Sequence, residues 1–250
     1  MEGTILEICV DSVESAVNAA RGGADRLELC SGLVVGGLTP TAALLEAVRG
    51  ETGLPVNVLI RPRFGDFCCT PAERALMCRE IEDLVGRGAA GVVIGALRPD
   101  GTLDRGAMVD MISAAAGANI TLHRAMDVCR DPLETLEEAL DLGVDTILTS
   151  GQAADAWAGR ETICRLLDRS AGRGDILIGG GVSPQVIGDF RRLRRGARSV
   201  HLSAKETLPS PMVHRNGQVH MGLPGISEFQ LWRTSADTVR AAARALRGEG

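Results

Sequence analysis

Two strand-like runs in this chain end alike. Leu6-Glu7-Ile8-Cys9 and Leu27-Glu28-Leu29-Cys30 each alternate apolar residues with a carboxylate and then a thiol. Three more runs carry charge or imidazole to their ends: Leu59-Ile60-Arg61-Pro62-Arg63, Leu122-His123-Arg124 and Val200-His201-Leu202-Ser203. An apolar run that closes on an ionisable group puts that group at the rim of a buried sheet. Several such ends at one rim make a pocket, and Asp66 and Asp127 follow closely enough to share it. Acids, imidazoles and guanidiniums in one cleft are what proton transfer and anion binding need. Thiols add soft-metal ligation.

Side chains alternate along a strand, so Glu7 and Cys9 share one face while Leu6 and Ile8 share the other. With the apolar face packed on helices, Glu7 and Cys9 turn inward. Glu28 and Cys30 do the same next door, setting two carboxylates and two thiols side by side. One reading is an enzyme for a small anionic, phosphorylated or sugar-like substrate. Glu7 or Glu28 with His123 would act as acid and base, and Arg61 and Arg63 would clamp the anion bidentately. Asp66, Asp127 and His201 complete that catalytic set. The competing reading is a structural Glu–Arg network, because buried charges must pair.

A second feature also suits an anion. Gly179-Gly180-Gly181-Val182 leads into a helix capped by Ser183, and Ser203-Ala204 follows the last strand-like run. Backbone N–H groups at Gly180 and Gly181, aimed by the helix N-terminus and joined by Ser203, form the expected anion site. Lys205, the sole lysine, is expected to be an exposed charge rather than a Schiff-base former. Met212, His214, His220 and Met221 lack fixed metal-ligand spacing and are expected to fill a lid.

The elements that must position these groups are legible too. Strand-like runs recur near 4–9, 25–30, 55–61, 90–95, 119–124, 145–149, 175–179 and 198–203. Between them lie helical stretches such as Ala72 to Val85 and Leu133 to Leu142. This alternation implies βαβ units and a parallel sheet. Thr39-Pro40, Thr70-Pro71, Asp131-Pro132 and Ser183-Pro184 read as a capping side chain followed by proline at the first helical position. Glu73, Glu134 and, with Asp11, Glu14 complete capping boxes. Glycine precedes every second strand, at Gly23-Ala24, Gly88-Ala89, Gly143-Val144 and Gly196-Ala197, where it closes the preceding helix. Four copies of a two-strand unit give eight. The expected fold is therefore α/β, a single-domain TIM-type (β/α)8 barrel over residues 1–250. An open doubly wound sheet would carry a glycine-rich fingerprint after its first strand, and Ile8-Cys9-Val10-Asp11 has none. One long loop, about 205–233, follows the last strand.

Composition narrows the function. A formal charge of -5 with 2% aromatic residues offers no basic, aromatic-interleaved tract for nucleic acid. The cluster Arg191, Arg192, Arg194 and Arg195 suits the carbonyl end of a helix. No apolar stretch is long enough for a bilayer span, and Met1-Glu2-Gly3-Thr4 does not resemble a targeting segment. Seven cysteines without C-x-x-C spacing suggest reduced thiols in a cytosolic setting.

The runs Glu7 to Ala16, Gly22 to Cys30 and Gly36-Gly37-Leu38-Thr39-Pro40 closely resemble the CutC copper homeostasis family. So do Ile60-Arg61-Pro62-Arg63, Gly65-Asp66-Phe67, His123-Arg124-Ala125, Leu148-Thr149-Ser150-Gly151 and Gly179-Gly180-Gly181. The resemblance implies a TIM-type barrel, a cytoplasmic setting (also nuclear in animal members), homo-oligomeric assembly as dimer or tetramer, and a role in copper handling. It further implies Cu(I) as the bound metal, held by Cys9 and Cys30. Phe64 stands where the family commonly has glycine and is expected to narrow the mouth. Met126 replaces a usual phenylalanine.

Overall fold

The computed structural model describes residues 3–193, 198–219, 221–223 and 225–249. Eight parallel strands close into a barrel: β1 (Ile5–Val10), β2 (Arg26–Leu29), β3 (Val56–Leu59), β4 (Gly91–Ile94), β5 (Asn119–Leu122), β6 (Thr146–Thr149), β7 (Asp175–Ile178) and β8 (Ser199–Leu202). Helices follow the strands. They are α1 (Val13–Gly22), α2 (Ala42–Thr52), α3 (Pro71–Gly86), α4 (Arg105–Ala114), α5 (Pro132–Asp141), α6 (Arg160–Ser170), α7 (Pro184–Leu193) and α8 (Ala236–Arg247). The eight-strand expectation holds at every position.

Two faces of each strand find different partners. Leu6, Ile8, Leu27, Leu29, Val58 and Ile60 are buried in the large cluster that joins barrel and helices. Cys9, Cys30, Leu59 and Val93 form a separate cluster. This split supports the inward register of the two thiols. Burial of one leucine-sized side chain contributes roughly 2 kcal/mol, so a one-residue slip would lose several such terms and expose the strand's apolar set.

Helix ends follow local chemistry. Thr70 caps α3 in a full capping box with Glu73, and Ser183 accepts the Val186 N–H at the start of α7. Asp131 accepts the N–H groups of Leu133 and Glu134, while Glu134 turns to Arg130 rather than back to the cap. Gly23, Gly88 and Gly143 take φ of 94°, 91° and 88°, a region that disfavours a Cβ. Each is followed by an N–H reaching back five residues: Ala24 to Ala19, Ala89 to Leu84, Val144 to Ala139. This shared Schellman closure is the physical content of the glycine marker. Gly196-Ala197, Arg194, Arg195, His220 and Pro224 lie outside the described residues.

Three expectations are corrected. The α1 cap is Ser12, which accepts the Ser15 N–H, because Asp11 instead accepts the Leu33 N–H. The α2 cap is Thr41, because the Thr39 hydroxyl donates to Glu80 and accepts the Arg61 N–H. The stretch after β8 is not all loop. β9 (Lys205–Pro209) and β10 (Gln230–Thr234) pair antiparallel as a two-stranded ribbon leading into α8.

Candidate functional site

The neighbours of β1 at the C-terminal mouth decide the site. Glu7 is level with Arg26 on β2 and with His201 on β8, while Cys9 is level with Glu28. The stagger therefore places Arg26, not Glu28, directly beside Glu7, and the expectation of two level carboxylates is corrected. Arg26 Nε donates to Glu7 Oε2 at 2.5 Å, and His201 Nδ1 lies 2.8 Å from Glu7 Oε1. His201 Nδ1 is also 3.5 Å from Glu28 Oε2, an oxygen with no hydrogen-bond partner among the described residues. Cys9 Sγ and Cys30 Sγ stand 3.9 Å apart.

Burial and charge set the protonation states. Burial pushes the Glu7 carboxyl up, but hydrogen bonds and charge from His201 and Arg26 outweigh it, and Glu7 sits below its ordinary value. Burial raises Glu28 to about 7, with the His201 charge opposing and Glu7 adding. The His201 ring resists charge through burial, yet Glu28, Cys9 and Glu7 together lift it well above its usual value. The Cys9 thiol is pushed well up by its contact with Cys30 and by burial. Donor atoms of Cys9, Glu28 and His201 all lie within 4.8 Å of one another.

A cavity of about 530 Å³ opens at this mouth. Cys9, Glu28 and His201 line one side, and Arg61, His123 and Arg124 line another. Gly180, Gly181 and Ser203 line it as well, with Lys205. The convergence of strand ends expected from the sequence is therefore present for most of the set. Glu7 is fully buried below it.

Four residues differ from expectation in detail. Arg63 and Asp66 turn outward, where Arg63 pairs with Asp66 at 3.0 Å and Glu73 at 2.6 Å. Neither lines the cavity, so no Arg61–Arg63 clamp forms. The cause is spacing: β3 ends at Leu59, and the chain turns away through Pro62 before it reaches Arg63. Asp127 is an anchor, accepting the Thr149 hydroxyl at 2.6 Å and the Ser150 N–H at 2.9 Å, and holding Arg124 Nε at 2.6 Å. His123 accepts the Ala125 N–H on Nδ1. Burial, with Arg61 beside it, depresses its pKa to about 3, so the neutral ring offers one remaining nitrogen as a donor.

Other outcomes are plain. Phe64 is 70% exposed and does not line the cavity, so it does not narrow the mouth. Met212, His214 and Met221 are exposed and line no part of it. Lys205 is exposed, with Nζ 3.5 Å from the Trp232 ring centre. All seven cysteines are free. Sequence reasoning missed Arg26 and Arg124. Arg26 opens a strand rather than ending one, and only the stagger between β1 and β2 reveals it. Arg124 stood in the quoted run, but its position across from Gly180 depends on the Asp127 anchor.

A parallel (β/α)8 barrel with thiols, carboxylates and an imidazole gathered at its strand C-terminal ends defines the class of protein. Residues 4–206 match the model of the CutC family, and the chain belongs to that family. The human copper homeostasis protein cutC homolog is 42% identical over 241 residues, covering 95% of this chain and 87% of the relative. A CutC family protein of Vibrio cholerae is 39% identical over 243 residues, covering 96% and 95%. The crystal structure of a CutC protein from Streptococcus agalactiae superposes with a TM-score of 0.76 at 26% identity, covering 80% of this chain and 98% of that one. No described helix is long and apolar enough to cross a membrane.

Proposed function

We propose that this chain binds Cu(I) through Cys9 and Cys30 as its part in copper homeostasis. The observation that carries the reading is the 3.9 Å separation of the two sulfurs, with Cys9 lining the cavity and Cys30 buried beside it. Thiolates are soft donors and suit Cu(I) over hard divalent ions. Neither sulfur is tied up in a disulfide; Cys9 lies on β1, and Cys30 directly follows β2 with its N–H bonded to the Val10 carbonyl. The His201 ring, within reach of Cys9, becomes a third, borderline donor when metal displaces its proton. Glu7 and Arg26 fix its neighbourhood from below, as outer groups do around metal ligands. The human and mouse relatives, 42% and 41% identical, carry copper homeostasis in their names.

The test is anaerobic Cu(I) titration against a chromophoric competitor. The parent takes up stoichiometric Cu(I), and Cys9→Ser with Cys30→Ser abolishes it. Cys78→Ser, altering a half-buried thiol on α3, leaves uptake unchanged. Full uptake by the double serine variant would overturn the proposal.

A further inference from the structure

The copper reading uses one wall of the cavity and leaves the other without a task. That second wall is built from β5, β7 and β8. The N–H groups of Gly180, Gly181, Val182 and Ser183 donate to no protein acceptor among the described residues. They precede α7, a ten-residue helix, and helix N-termini carry partial positive charge aimed outward. Gly180 and Gly181 hold φ of 87° and 66°, and a Cβ on Gly180 would come within 2.9 Å of Ser150 Cβ and 3.5 Å of Arg124 Cζ. The backbone is thus bare on the side where the guanidinium stands.

Arg124 is not free to wander. Nε binds Asp127 and Nη2 binds Ser150 Oγ at 2.9 Å, so the fork is pre-set beside the glycines. Arg61 faces the same cavity from β3. Its guanidinium is held by the carbonyls of Val35, Gly37 and Gly65, while Nε is buried without a partner. Guanidiniums and converging amides are the donors that recognise a phosphate's oxygens.

The opposite wall asks for something else. Glu28 is 4% exposed, lines the cavity, and leaves Oε2 without a hydrogen bond. A buried carboxylate oxygen without a donor is costly, and a ligand hydroxyl would satisfy it. Around the barrel, Glu28 on β2 is separated from the β7 turn by β8 and β1. A ligand answering both walls is therefore anionic at one end and hydroxylated at the other.

We propose that the cavity binds a short phosphorylated polyol, its phosphate on the Gly180–Ser183 turn beside Arg124 and a hydroxyl at Glu28. Glu28 shares its wall with Cys9 and His201, but neither thiol takes part, so the thiol variants test the two readings apart.

The test uses the full chain, 15N-labelled, titrated with inorganic phosphate, glycerol 3-phosphate and glycerol. Both phosphorylated probes shift the amide resonances of Gly180, Gly181 and Ser183, and glycerol alone does not. Glycerol 3-phosphate binds about tenfold more tightly than phosphate, the equivalent of one added hydrogen bond to a charged group. Glu28→Gln removes that advantage and leaves phosphate binding intact. Arg124→Met weakens both probes by about tenfold or more. The parent's own resonances report the site if that variant fails to fold. The Cys9→Ser, Cys30→Ser variant keeps both affinities, which separates this outcome from the fate of the copper reading. Absence of shifts at that turn with about 10 mM of either phosphorylated probe, or equal affinity for the two, would overturn the proposal.

Discussion

The cluster where β8, β1 and β2 meet and the arm that follows β3 contain the same chemical ingredients, arginines facing carboxylates, yet they behave as opposites. In the first, Glu7 is wholly buried, and Arg26 and His201 are held on fixed strands around it. In the second, Arg63, Asp66 and Glu73 are solvated on a turn and a helix start. The Arg63 pairs have comparable distances, 2.6 Å and 3.0 Å. What differs is the medium. Water screens the arm, whereas the barrel interior makes each charge depend on its neighbours. Contact distance alone therefore says little about which pair matters.

The largest effect is expected at Glu7. Glu7→Gln keeps the shape but leaves Arg26 without its counter-ion and His201 with Glu28 alone. Removing one partner of a buried pair costs about 3–5 kcal/mol, and Arg26 retains some solvent contact, so about 3 kcal/mol is expected by urea denaturation. A loss below about 1 kcal/mol would mean that this cluster behaves like the exposed arm and that the comparison is empty.

Much of this contrast was visible in the sequence, and the parts that were not share a cause. Apolar alternation fixed which faces of β1 and β2 turn inward, because a slip would expose Leu6, Ile8, Leu27 and Leu29. Glycine and cap signals located helix ends where a side chain has only local options, as at Thr70 and Asp131. They failed at Asp11 and Thr39, whose oxygens serve residues 22 and 41 positions away. The site followed the same rule. Cys9, Glu28 and His201 lie one residue inside strand ends and Arg61 two residues past one, and the barrel brings them together. Arg63 lies beyond the end of a strand, so nothing local dictated its direction. Arg26 became a partner of Glu7 only through strand stagger, a property of the closed barrel and of no single segment.

His123 sharpens the comparison from the side of pH. It is buried like Glu7 but has no carboxylate partner, so burial and the Arg61 charge hold its pKa near 3 against about 6.5 unfolded. Between those values the unfolded chain binds a proton that the folded one refuses, so stability rises with pH across this window and falls as the solution is acidified. By pH 5 the contribution is about 2 kcal/mol relative to pH 7. His123→Asn removes that proton uptake. The parent's urea midpoint should therefore fall relative to the variant's as pH drops from 7 to 5, whatever the gap at pH 7. A parallel offset at both pH values would show that His123 is solvated or paired.

The smallest effect is expected at Arg63, although it makes more hydrogen bonds than Arg26. Arg63→Gln deletes pairs with Asp66 and Glu73 and donations to the carbonyls of Phe64, Asp66 and Cys68. Each of those acceptors can turn to water. The α3 capping box survives, because Glu73 Oε2 still accepts the Thr70 N–H and Thr70 Oγ1 still accepts the Glu73 N–H. Thermal midpoint, Cu(I) uptake and phosphate-induced shifts should all match the parent. Any residual difference should vanish in about 1 M salt, where screening reaches within about 3 Å. A large, salt-resistant loss in Arg63→Gln would mean that this arm braces Arg61 and the cavity wall, and burial would no longer separate the two regions.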